Sequence, residues 1–137
     1  MKRGNMSDLD GHRPLLYVAS PLSDTPQHYL EWVGRMNDEA EYAFEQGWAP
    51  MVPGNDLLFC YRSKRKFEVD DLLEIDREMI RASWAIRVID THHVDGRESY
   101  GVKFELRKSK EFGVDICMNR EDLAASYERW TREFDSK

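Results

Sequence analysis

The chain has 137 residues, 41% of them hydrophobic and 34% charged, with a formal net charge of -6. At this length one domain with one core is expected, and six Phe, six Tyr and four Trp supply the bulk to fill it. The composition excludes a largely disordered chain, no apolar run approaches the ~20 residues of a membrane helix, and the acidic balance argues against wrapping a nucleic acid.

Met1 to Asp8 begins with basic residues but has no apolar stretch behind them, so it does not read as a secretory signal. A cytoplasmic address is expected, with residues 1–13 as a flexible N-terminal segment of a single domain 1–137. Cys60 and Cys117 lack both a disulfide framework and metal-ligand spacing, and read as reduced thiols.

In chain order, Leu15 to Ala19 is a short apolar run between Pro14 and Pro21, which has the length and composition of a buried strand. Residues 20–26 then form a loop. Tyr29, Val33, Met36, Ala40, Ala43 and Phe44 recur at three and four, predicting an amphipathic helix from Gln27 to about Gly47, its C′ residue. Trp48 to Val52 is a second strand, closed by Pro53-Gly54. Residues 54–68 form a long insertion in which Arg62, Lys64, Arg65 and Lys66 gather four cations, suited to an anionic ligand or simply to solvation. Val69, Leu72, Leu73, Asp76, Met79 and Ile80 share one helical face, followed by a third strand from Trp84 to Ile89. A polar loop runs from Asp90 to Glu98, a helix from about Ser99 to Phe112, a fourth strand from Val114 to Met118, and a closing helix over 120–134.

Strands alternating with crossover helices predict an α/β fold, a Rossmann-like (flavodoxin-like) three-layer sandwich with a short parallel sheet in the order 2-1-3-4. Ligands of such sheets bind outside the carboxyl ends of the strands where the chain reverses, here the loops 20–26 and 90–101 or a helix leaning over them.

Three features of that edge carry chemistry. Ser99 stands at an N-cap position with Gly101 inside the first turn, where a glycine costs about 1 kcal/mol unless something must approach the backbone. Free N–H groups at a helix start suit phosphate or carboxylate, and Glu105 lies one turn on; a capped surface helix with an incidental glycine accounts for the same residues. Asp76 puts a carboxylate on a face directed inward, where it needs partners, a shifted pKa or a loop backbone to bond. Ala19, Ser20, Pro21 and Leu22 leave room for a ligand at the first strand's end, or make a tight exit from it. No GxGxxG or GxxxxGK[ST] motif occurs. His92, His93 and Asp95 read as a polar loop rather than a metal site, and Tyr17, Tyr100 and Trp84 as core or wall.

Taken together, Leu16 to Leu22, Gly47 to Pro53, Asp76 and Ser99-Tyr100-Gly101-Val102-Lys103-Phe104-Glu105 resemble the nucleoside 2-deoxyribosyltransferase-like superfamily, in particular its nucleoside 5′-monophosphate N-glycosidase branch and small phage and bacterial relatives. The resemblance spans about residues 15–118 and implies Glu105 as the nucleophile at the anomeric carbon, with Asp76 orienting or protonating the departing base. It also implies binding by Ala19, Ser20, Pro21, Leu22, Ser99 and Gly101, a homodimer or larger assembly bordering the cleft, and no cofactor. Serine rather than aspartate six residues before the nucleophile favours a 5′-phosphate, which an aspartate would repel. The expected activity is hydrolysis of the N-glycosidic bond of a (deoxy)nucleoside 5′-monophosphate, with a deoxyribosyltransferase or a non-catalytic nucleotide sensor as alternatives. Arg62, Lys64, Arg65 and Lys66 are expected in a lid over the phosphate.

Overall fold

The computed structural model describes residues 12–22, 26–56 and 68–135. Four strands alternate with helices: β1 (Leu15–Ala19), α1 (Pro26–Glu45), β2 (Ala49–Met51), α2 (Val69–Ala82), β3 (Ala85–Val88), α3 (Tyr100–Phe112), β4 (Asp115–Cys117) and α4 (Arg120–Asp135). A 3₁₀ turn at Pro53–Asp56 follows β2. The sheet is parallel throughout in the order β2-β1-β3-β4, with Tyr17 opposite both Met51 and Ile86. The result is the expected α/β, Rossmann-like three-layer sandwich. Among the described residues no helix is long and apolar enough to cross a membrane.

The pleat of β1 distributes its side chains between two cores. Leu16 and Val18 pack with Met36, Ala40 and Ala43 of α1, Leu123 of α4, and Trp48. Tyr17 and Ala19 face the other way, toward Ile80 of α2 and Val102 of α3. Helices α1 and α4 therefore cover one face of the sheet and α2 and α3 the other.

The strands are shorter than the apolar runs suggested: Trp48, Trp84 and Val114 precede them as buried or half-buried lead-ins, of which Trp84 still bonds Leu15 O through its N–H and accepts Asp115 N–H on its carbonyl. Helix ends follow local chemistry. After α1, Gly47 N–H bonds Phe44 O and Trp48 N–H bonds Ala43 O. After α3, Gly113 and Val114 repeat that pattern on Lys110 and Ser109. Both glycines have positive φ, 111° and 71°, as this termination requires. Arg13, at the end of the segment expected to be flexible, is held by hydrogen bonds from Nη1 to Phe44 O and Trp48 O and lies over the Phe44 ring.

Between α1 and α4 a buried carboxylate, Glu39, is paired on both sides. Arg87 Nε of β3 lies 2.9 Å from its Oε2, and Arg120 Nη2 of α4 lies 3.0 Å from its Oε1. Burial opposes the charge, but the hydrogen bonds and positive charges of Arg120 and Arg87 outweigh it and hold the carboxyl below its usual range. This ion pair network fastens three elements, and its geometry satisfies a group that would be costly to bury alone.

Candidate active site

At the carboxyl edge of β1 the layers part to form a cavity of about 460 Å³, within the range of small-molecule sites. Val18, Ala19, Ser20 and Leu22 contribute from β1 and its exit, Met36 from α1, Pro53 and Gly54 from the turn after β2, Leu72, Ile75 and Asp76 from α2, and Glu105 from α3. Five of the sequence-derived site residues meet there: Ala19, Ser20, Leu22, Asp76 and Glu105. Pro21, buried behind Ser20, receives the Ser20 hydroxyl on its carbonyl.

Beneath both carboxylates lies Tyr17. It is fully buried, and its hydroxyl donates to Glu105 Oε2 in a short hydrogen bond. Burial raises the phenol pKa well above its ordinary value; the charges of Glu105 and Asp76 and side-chain hydrogen bonding with both act in the same direction. Tyr17 therefore remains a proton-bearing donor between two acids. Desolvation likewise pushes the Glu105 carboxyl up to about 8; the Tyr17 hydrogen bond works against this and the charge of Asp76 adds to it.

The backbone of α3 explains why Glu105 is where it is. Ser99 caps the helix through its Oγ, which accepts from Val102 N–H, and Val102 packs inward three residues before Glu105. Ser109 Oγ donates to Glu105 O one turn further on. Ser99 and Gly101 sit at the helix start, outside the cavity lining, about 9 Å and 6 Å along the axis from Glu105. The N–H groups of Tyr100 and Gly101 have no intrahelical acceptor, as at any helix start. A Cβ on Gly101 would meet only Ser99 Oγ, at 3.9 Å, so this turn is open.

Some expectations fall elsewhere. The loop after β3 contributes none of the described lining: His92 and Glu98 pair as an isolated bridge, His92 contacts the Thr91 hydroxyl, and Asp95 binds Arg97. Its place is taken by Met36 and the turn Pro53-Gly54, which sequence reasoning assigned to core and punctuation. Tyr17, by its sequence a core or wall residue, is the buried contact of the two carboxylates. Trp84 bonds Ser126 on the far side, and Tyr100 is largely exposed. Cys117 lies in β4, its thiol pushed up to about 12 mainly by burial, so it is an inert packing residue. The cationic lid, Arg62, Lys64, Arg65 and Lys66, lies outside the described residues, as does Cys60.

No family model matches the chain, and no curated protein matches it in sequence.

Proposed function

We propose that the protein hydrolyses the N-glycosidic bond of a (deoxy)nucleoside 5′-monophosphate, Glu105 acting as nucleophile. The observation that carries this reading is the convergence of Glu105 and Asp76 on one cavity, with Tyr17 donating to the first. A carboxylate can capture an oxocarbenium-like centre while a second acid serves the leaving group. In the reacting state the proton of the pair is on Asp76 and Glu105 is ionised; the C1′–N bond breaks and its electron pair leaves with the base, which takes that proton from Asp76. The C1′–O bond to Glu105 forms at the same time. Water then displaces Glu105, its oxygen going to C1′ and its proton back to Asp76.

Among the described residues no cationic side chain lines the cavity. The reading therefore puts the phosphate outside it, at the start of α3 near Ser99 and Gly101. We also take the assembly to be a homodimer or larger, a neighbour bordering the open cleft; light scattering that returned a single-chain mass at micromolar concentration would overturn that part.

A panel of ribo- and deoxynucleoside monophosphates, assayed for free base by chromatography, tests the activity. Base and sugar 5-phosphate are expected from at least one member, with loss on the order of 10³-fold or more in Glu105→Gln. Base exchange on adding a second base would assign a deoxyribosyltransferase. A second reading, a nucleotide-binding module, is favoured by the burial of Glu105, because desolvation raises its carboxyl pKa and so weakens it as a nucleophile in the free site. Binding without base release, unaffected by Glu105→Gln, would establish that reading and exclude the first.

A further inference from the structure

The cavity has two unlike sides. Asp76 and Glu105 come from the helices on one face of the sheet, and Met36 belongs to the core on the other. Across the strand end from the acids stand Met36, Gly54, Leu22 and Pro53, in close mutual packing. A Cβ built on Gly54 would fall 2.5 Å from Met36 Cε and 3.4 Å from Leu22 Cδ2, so the methionine end lies directly against the glycine backbone.

Two polar groups on this side of the cavity are engaged elsewhere. The Gly54 carbonyl accepts the Tyr29 hydroxyl at 2.8 Å, and the Ser20 hydroxyl donates to Pro21 O at 3.1 Å. The wall therefore presents no side-chain donor among the described residues, and what it exposes is aliphatic, chiefly Leu22 and Pro53, with Met36 and Gly54 packed directly behind. A polar group pressed against those side chains would lose water and find no side-chain donor in exchange. An apolar group would displace water at no such cost. Met36 is unbranched and can change rotamer, so the wall can adapt to the size of what it meets.

We propose that this wall selects nucleotides whose base carries an alkyl substituent on the edge remote from the glycosidic bond, Met36 and Gly54 being the determinants. The inference rests on the reading above, in which C1′ lies at Glu105; the base then extends across the strand end toward the wall. Each methylene buried there should tighten binding about fourfold.

Calorimetry on Glu105→Gln, which blocks turnover, would use two graded series: deoxyuridine 5′-monophosphate with hydrogen, methyl, ethyl and propyl at C5, and adenosine 5′-monophosphate with the same groups at N6. At least one series should tighten by about fourfold per carbon over its first members. Adding Gly54→Ala or Met36→Ala should change that increment, and the ratio of alkylated to parent affinity within each variant corrects for any loss of folded protein. Parents that bind with both series flat or weakening would overturn the selectivity and leave the nucleotide reading standing. An increment identical in the wild-type wall and both wall variants would also overturn it. Failure of every nucleotide to bind, parents included, would overturn the nucleotide reading and this inference with it.

Discussion

Tyr17 joins the packing of the core to the two carboxylates of the cavity. Its ring fills the core beside Ile86 and Val102, and its hydroxyl lies against the two acids. The signs of its effects are opposed in a way that can be measured. The Tyr17 hydrogen bond stabilises ionised Glu105, whereas the charge of Asp76 destabilises it. Tyr17→Phe should therefore move the acid limb of the kcat/KM–pH profile to higher pH, and Asp76→Asn should move it lower even as it reduces the rate. Limbs that stayed put in both variants would remove Glu105 as the titrating group. The sequence disclosed Asp76 because a carboxylate on an inward helical face is anomalous, and Glu105 by its place one turn after Gly101 and by the family resemblance. It concealed Tyr17 because an aromatic residue in an apolar strand is ordinary, and its partner lies 88 positions away.

The helices and strand order were legible because apolar period and crossover length determine them locally, and both helix ends marked by glycine are where the pattern stops. The two glycines should respond differently to substitution. At Gly113 a Cβ meets nothing within 4 Å, so Gly113→Ala should cost only the positive-φ penalty of about 1 kcal/mol. At Gly47 a Cβ would also fall 2.3 Å from the Tyr127 hydroxyl, so Gly47→Ala should cost more. Urea unfolding of the two variants checks the order, and equal losses would contradict it. What the pattern did not show at this scale was the division of labour at the sheet edge. Met36 has the ordinary spacing of a core position, and Pro53-Gly54 the ordinary look of a strand stop; only the packing of α1 against the turn after β2 makes them a wall.

For the molecule as a whole, the two buried acids tilt stability with pH in opposite directions. Glu105 has a folded pKa of about 8 against an ordinary 4.5, so between those values the folded chain keeps a proton that the unfolded chain has released. Its contribution is present in full below the unfolded value and is lost as pH rises through the folded one, at up to about 1.4 kcal/mol per pH unit. Glu39 is held below its ordinary value, so its contribution is present above that value and is lost as pH falls through the folded one. From these two groups stability should decline as pH rises from the ordinary carboxylate value toward 8. Glu105→Gln should flatten the decline, which denaturant titrations at pH 5, 6, 7 and 8 would show; parallel profiles for the two proteins would refute it.

Helix α2 buries only Ile80 and Ser83 beyond its end among the described positions from 70 to 83, while Leu72, Ile75 and Asp76 line the cavity. Much of the surface that could hold this helix to the body is thus surface that a ligand would occupy. An occupant touching α1, α2 and α3 at once would act as a non-covalent rivet, and the amides of α2 should gain more protection from hydrogen exchange on binding than those of α4, which stands on the opposite face with none of its described residues in the cavity. Comparing deuterium uptake of the two helices with and without nucleotide would reveal whether the site borrows part of its own rigidity from an occupant.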